Sequence, residues 1–370
     1  MSHPSHDARL RSLMIATELF APGGVQRVGL EVMHAVTDGG SQVTVWSLRD
    51  AAVPAAYAVP PGAQIRLAAG SSLRLGSWAL ARAAIRCRAT CALLMHVHLA
   101  PIAVPLLARG ARVAVFLYGV EVWRPLSPVE RFVLNRAWRV IAISDHTARR
   151  FRDANRWFRG TIDICPLGVA AGNGIADANR ANPVNLALIV SRISWEDRYK
   201  GHELLIRAWP GVRHRVPDAS LVIVGDGDDR ARLEALAAAL GPDGAVRFVG
   251  RVSDRELASW YARCALFVMP SPDEGFGLVF LEAMRAGKPC IGAAGAATEV
   301  IVDGETGTIV PPDDAAALTR AIVDLFRDPV RRERLGHNGR TRFMSAFTSA
   351  HFADRIRGLL KAGPPSNEAG

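Results

Sequence analysis

The sequence predicts an α/β protein of two Rossmann-like, doubly wound domains facing a central cleft. Three observations carry that expectation. The chain has 370 residues, too many for one ordinary core and enough for two. Short apolar runs alternate with amphipathic stretches, the rhythm of parallel strands covered by helices. The alternation breaks after Gly168, in a small, polar, aperiodic run ending at Pro183, and then restarts. The boundaries follow: an N-terminal domain over 1–168, a linker over 169–184 and a C-terminal domain over 185–347. A last helix within 348–370 is expected to pack back on the first domain, followed by a tail.

In the first domain Ser12–Thr17 reads as a strand. The breakers Pro22-Gly23-Gly24 end it, and a helix runs from Val25 to Val36. Asp38-Gly39-Gly40 turns the chain into a strand at Gln42–Ser47. A basic amphipathic helix, Leu73–Arg88, carries Arg74, Arg82, Arg86, Arg88 and Trp78. Ala92–His96 and Val113–Leu117 are strands, and Arg139–Ile143 leads into a helix started by Ser144, an N-cap residue type. Thr90–Ala108 has nineteen residues without a formal charge, but His96, His98, Pro101 and Pro105 suit strand, turn and helix start rather than a membrane span. In the second domain, strands fall at Asn185–Ser191, Ser220–Val224, Val246–Val249, Leu266–Met269 and Pro289–Gly292. Helices fall at His202–Arg215, Arg230–Leu240, Asp254–Cys264, Leu278–Ala286, Ala315–Phe326 and Pro329–Phe347.

The composition excludes collagenous, disulfide-scaffold and wholly disordered classes. The net charge of +10 is unevenly placed. Residues 1–170 hold 20 Lys+Arg against 10 Asp+Glu, and the remainder is balanced, so one domain bears a basic face. No nucleic-acid recognition motif accompanies that charge, and nucleic acid is not an expected partner. The five cysteines, Cys87, Cys91, Cys165, Cys264 and Cys290, are scattered without a CxxC pair, which suits reduced thiols in a cytosolic protein. The polar start, Met1–Arg11, lacks the apolar run of a signal peptide.

The chemistry concentrates between Met269 and Gly292. A strand enters a loop bearing Glu274, Gly275 and Gly277, and a helix begins at Leu278. Bare amides at that helix start, approached closely past two glycines, suit a diphosphate. Glu274 and Glu282 can accept hydrogen bonds from sugar hydroxyls. The run Gly225-Asp-Gly-Asp-Asp229 imitates a dinucleotide fingerprint, but Arg230 stands where the third glycine is required. Its acidic residues read better as a solvated loop with a helix N-cap than as a metal site.

These residues resemble the retaining glycosyltransferases of family 4, which have the GT-B fold. The span from Glu274 to Glu282 matches the family's E-x7-E signature, with its usual continuation to Pro289. Val190–Pro210, Leu221–Asp229, Val246–Cys264 and Glu299–Asp314 follow in the family's order. The resemblance implies that Glu282 holds the donor's ribose and that Glu274 stands by the donor sugar. Gly275, Phe276, Gly277 and Leu278 would place backbone amides near sugar and diphosphate. Arg192 and Lys200 would neutralise the diphosphate; Lys200, one of three lysines, has a surface ion pair with Glu196 or Asp197 as its other reading. Gly225 would border the nucleotide and Gly250, Arg251 and Val252 the nucleobase. Gly23 and Gly24 match the family's glycine-rich loop after the first strand. His98, in the His-Val-His strand end, is either an acceptor contact or a packed strand terminus. Ser144 is either an acceptor contact or an N-cap.

One departure stands out. Tyr118 occupies the place where many members carry a histidine against the donor sugar. Tyrosine is a poor proton acceptor at neutral pH. That leaves Glu121 as acceptor-positioning group or base, or a leaving-phosphate oxygen as proton acceptor in a front-face mechanism.

The expected activity is therefore hexose transfer, with retention, from a nucleotide-diphosphate sugar (GDP-mannose or a UDP-hexose) to a hydroxyl. The expected setting is surface polysaccharide or glycolipid assembly on a glycan or polyprenyl-linked acceptor. The resemblance implies no cofactor and no metal. It places the enzyme in the cytoplasm, peripheral on the inner membrane face, with the Leu73–Arg88 helix meeting anionic lipid. The rivals are a catalytically silent nucleotide-sugar-binding partner subunit and a GT-B sugar-nucleotide epimerase or hydrolase.

Overall fold

The computed structural model describes residues 11–21, 23–68, 89–172, 185–241 and 244–361. The expected helix Leu73–Arg88, most of the 169–184 linker and the tail after Lys361 lie outside the described residues. The chain divides into two compact units, residues 1–167 with 349–370, and residues 168–348.

The first unit holds a seven-stranded sheet, parallel throughout. Its strands are β1 (Arg11–Ala16), β2 (Gln42–Ser47), β3 (Ala63–Leu67), β4 (Cys91–Leu94), β5 (Arg112–Leu117), β6 (Arg139–Ala142) and β7 (Asp163–Ile164). Their order is β3-β2-β1-β4-β5-β6-β7. Helices α1 (Gly24–Asp38), α2 (Ala100–Leu107), α3 (Pro128–Arg136) and α4 (Asp145–Ala154) connect them. Every residue of β4 and β6 is buried, the pattern of strands covered on both faces. Leu13, Ile15, Leu94, Val115, Leu117, Val133 and Phe151 join one core layer.

The second unit holds a six-stranded parallel sheet ordered β10-β9-β8-β11-β12-β13. The strands are β8 (Leu186–Val190), β9 (Ser220–Val224), β10 (Val246–Gly250), β11 (Leu266–Met269), β12 (Cys290–Ala293) and β13 (Gly307–Val310). The helices are α5 (His202–Arg215), α6 (Arg230–Leu240), α7 (Asp254–Arg263), α8 (Leu278–Arg285), α9 (Ala297–Val300), α10 (Ala315–Arg327) and α11 (Pro329–Ala346). A final helix, α12 (Ser349–Lys361), belongs to the first unit and packs on α1. There Phe352 and Ile356 are buried, Ser349 Oγ donates to Glu31 Oε1 at 2.9 Å, and Arg355 donates to the Pro166 carbonyl at 2.9 Å.

The structure adds elements that the sequence pattern does not reveal. Strands β3 and β7 are short and lie at or beside a sheet edge, β3 with alternating half-exposed residues, so neither presents an apolar run. Helix α3 starts at a reciprocal Ser127–Glu130 capping box. Strand β4 stops at Leu94, not His96. The chain there enters a 3₁₀ turn, Val97–Leu99, in which His96 Nδ1 accepts from the His98 amide at 3.2 Å. Among the described residues, no helix is long and apolar enough to cross a membrane.

Each sheet reverses its strand order once, between β1 and β4 and between β8 and β11. The loops that leave these strands at their carboxyl ends flank the crevice in which open α/β sheets take ligands.

Candidate active site

In the second unit the reversal lies between the loop after β8, Ser191–Gly201, and the loop after β11, Pro270–Gly277. These loops bring together residues 74 positions apart: Lys200 Nζ forms an ion pair with Glu274 Oε1. Both are largely buried, Glu274 to 8% exposure. Burial pulls the lysine's proton affinity down, but Glu274, Tyr199 and Asp197 together outweigh it and raise the ammonium's pKa. Of the two readings of Lys200, the ion pair exists, yet its partner is the signature glutamate rather than Glu196 or Asp197.

Beyond Glu274 the loop turns on Gly277, whose φ of +85° is left-handed and which precedes α8. No side chain caps that helix and no acidic residue lies in its first turn, so its first amides suit an anion. Phe276 is buried against Phe347, with ring centroids 6.1 Å apart, which anchors the loop from below. Glu282 sits one turn into α8 and accepts from Tyr261 Oη at 3.0 Å. Tyr261 is a fixing group that the sequence reading missed; its place on α7, 21 residues before Glu282, gives no local signal.

Arg192 leaves the first loop with its side chain 70% exposed, held on one edge by Asp197. Next to it stands Trp195, 62% exposed, with the Arg198 guanidinium 3.2 Å from its ring centroid. The acidic cluster after β9 is spent on holding this loop. Asp228 accepts from the Trp195 amide at 2.8 Å, and Asp229 accepts from Arg198 and Arg232. Hydrogen bonding from Arg232, then Arg198, pulls the Asp229 carboxyl down to about 2. The expected helix N-cap is thereby corrected: Asp229 precedes α6 but makes no side-chain cap, because two arginines claim its oxygens.

Gly225 packs its backbone against the first loop and donates its amide to the Gly250 carbonyl at 2.9 Å. Gly250 ends β10, with Arg251 exposed and Val252 half-buried beyond it.

Beneath the ion pair, His202 opens α5 and shares a 2.9 Å hydrogen bond between Nε2 and Ser191 Oγ. Burial, then Lys200, lowers its pKa from 6.5 to about 4. Between those values the unfolded chain binds the proton that the folded chain refuses. His202 therefore leaves stability intact above pH 6.5 and erodes it as pH falls toward 4, by about 3 kcal/mol at most. Denaturant titrations of wild type and His202→Asn across that window should show a shallower pH slope for the variant. Equal slopes would remove His202 as the cause.

In the first unit the loop after β1 carries Gly23 and Gly24 to an α1 start without a side-chain cap or an acidic first turn. Asp50 fixes that loop by accepting from the Leu19 amide at 2.7 Å, the Phe20 amide at 3.4 Å and Ser47 Oγ at 2.6 Å. Across the reversal, after β4, His98 is exposed, with Nε2 2.9 Å from Arg124.

The structure bears on three further expected roles, and for Ser144 it selects the N-cap reading. Tyr118 continues the alternation of β5 and turns inward, stacked on Phe116, its hydroxyl buried without a hydrogen-bond partner. Glu121 accepts from the Tyr118 amide at 2.6 Å, and burial pushes its carboxyl pKa up against the pull of the Tyr118, Glu121 and Gly119 amides. Its carboxylate closes its own turn. Ser144 is fully buried, and its Oγ accepts from the Thr147 amide at 3.0 Å as the N-cap of α4, with no surface for an acceptor.

Comparison with known proteins identifies the family. Residues 175–342 match the family described as "Glycosyl transferases group 1", and residues 22–171 match "Glycosyltransferase Family 4". The chain is 32% identical over 279 residues to the GDP-mannose-dependent alpha-(1-6)-phosphatidylinositol monomannoside mannosyltransferase of Mycobacterium tuberculosis, covering 68% of this chain and 71% of that enzyme. Its namesake in Mycolicibacterium smegmatis is 33% identical over 258 residues, 63% of this chain and 65% of that enzyme. Among solved structures, sucrose-phosphate synthase from Thermosynechococcus elongatus superposes with a TM-score of 0.81 at 24% identity, over 95% of this chain and 98% of that one. Anabaena HepE, solved with UDP and glucose, gives 0.77 at 19% identity, over 95% and 100%.

Proposed function

The chain belongs to glycosyltransferase family 4, and we propose that it transfers mannose, with retention, from GDP-mannose to a hydroxyl of a lipid-linked glycan. The observation that carries this reading is the meeting of Lys200 with Glu274 beside the uncapped start of α8. A cation, a carboxylate and bare amides are the three kinds of group that a sugar diphosphate requires, and their nearness supports the reading. Arg192 and Lys200 take the charge that develops on the departing diphosphate. Glu274 accepts from the sugar's hydroxyls, and Glu282, steadied by Tyr261, accepts from the ribose. With Tyr118 inward and Glu121 engaged, a phosphate oxygen of the leaving group takes the acceptor's proton on the face it departs from. The names of the mannosyltransferase relatives support the choice of donor and of a glycolipid acceptor.

A thermal-shift panel of GDP-mannose, UDP-glucose and ADP-glucose tests the donor. GDP-mannose should raise the melting temperature by several degrees, since a ligand at about a hundred times its Kd adds about 2.7 kcal/mol. Stabilisation by a UDP-sugar alone would replace the base, and a β-linked product from GDP-mannose would overturn retention. The inward Tyr118 favours one second reading, a nucleotide-sugar-binding subunit without turnover. Donor stabilisation without transfer to any glycolipid acceptor would select it.

A further inference from the structure

Asp197 is buried to 4% exposure within the loop that carries both proposed diphosphate cations, and its two oxygens take four hydrogen bonds. Oδ2 accepts from Arg192 Nε at 2.5 Å and Ser194 Oγ at 2.6 Å; Oδ1 accepts from Arg192 Nη2 and Tyr199 Oη, each at 3.2 Å. The Tyr199 ring lies 5.0 Å from Lys200 Nζ. One carboxylate therefore grips Arg192 and, through Tyr199, braces Lys200.

The grip is specific in direction. A guanidinium has five N–H donors in a rigid fork. Asp197 takes the Nε edge, and the remaining donors of an otherwise exposed side chain face outward. A flexible arginine would lose conformational entropy on meeting a phosphate, and here much of that loss is already borne by folding. The arrangement has an electrostatic cost, because a buried negative charge beside the cation weakens its pull on a diphosphate. Orientation and screening thus make opposite predictions for the same substitution.

We propose that Asp197 is a positioning residue that presents the outer edge of Arg192, and with it Lys200, to the donor diphosphate. This rests on the reading of Arg192 as a diphosphate cation, and the test separates the two. Binding of GDP and GMP is measured by calorimetry for wild type, Asp197→Asn, Arg192→Ala and the double variant, with UDP and UMP should the donor panel select uridine. Asp197→Asn should weaken GDP binding about tenfold although it removes a negative charge, and leave GMP within about twofold. In the Arg192→Ala background it should add only the part, about twofold to threefold, that passes through Tyr199 to Lys200, since a residue acting through another is not additive with it. GDP binding that is unchanged or tightened in Asp197→Asn would overturn the proposal. So would equal losses for GDP and GMP, or a full effect that persists without Arg192. If Arg192→Ala itself leaves GDP affinity unchanged, the assignment of Arg192 fails first and the proposal falls with it. Should Asp197→Asn not fold, Tyr199→Phe removes only the hydroxyl bond to Oδ1 and should weaken GDP about twofold to threefold, again sparing GMP. An unchanged GDP affinity in that variant counts against the proposal.

Discussion

Replacing Glu274 by glutamine should lower kcat/KM for hexose transfer by about a thousandfold or more, the scale of losing a preorganised group that acts in the transition state. The amide keeps the size of the carboxylate, so the loop between β11 and α8 should keep its path. What changes is the charge facing Lys200. The largely buried ammonium loses the carboxylate that holds it in place, and the sugar's hydroxyls lose their charged acceptor. The loss should therefore appear in kcat as well as in donor affinity. Circular dichroism and melting close to wild type, with turnover gone, would complete the result. Turnover within about tenfold of wild type would remove Glu274 from the reacting centre.

The second large effect is on stability. Gly225 has a φ of +141°, which side-chain-bearing residues rarely adopt, and a Cβ added there would lie 1.8 Å from the Ser191 carbonyl oxygen. The obstacle is backbone, held by the Ser191 amide's own 3.1 Å bond to the Val224 carbonyl, so it cannot swing aside. Gly225→Ala should destabilise the second unit by at least about 3 kcal/mol, lowering its melting temperature by about 6–12 °C. The β8 loop must move for the variant to fold, so nucleotide binding should fall with the melting temperature. A melting temperature within about 2 °C of wild type would show that the close approach does not hold in solution.

Much of the second unit was legible in the sequence. The helices His202–Arg215 and Arg230–Leu240 and the strands Ser220–Val224 and Leu266–Met269 coincide with the structure because the strands are apolar runs and the helices are long stretches of helix formers between breaks in the pattern. Strand β13 escaped because four residues after a glycine-rich turn carry too little pattern. The site was legible as a set of residues, not as a set of bonds. Nothing local announces that Lys200 faces Glu274, since sheet order brings them together. Tyr118 shows the converse limit: position in the motif suggested a ligand contact, and strand alternation sent the side chain the other way. Asp197 and Asp229 look like surface charge in a loop rich in arginine. Only their burial among donors reveals that they organise it.

The return of α12 to the first sheet carries a consequence for how the molecule is made. The second unit is one unbroken stretch, residues 168–348, set inside a first unit assembled from two separate pieces. During synthesis from the amino end, the second unit has all its residues before the first receives the helix that covers α1. Until Phe352 and Ile356 arrive, the α1 surface that receives them is open to solvent or to a chaperone. The later half of the gene thus encodes the unit that can finish folding first. Excision follows the same logic: a 168–348 fragment needs two cuts and no new joint, whereas the first unit needs its halves religated.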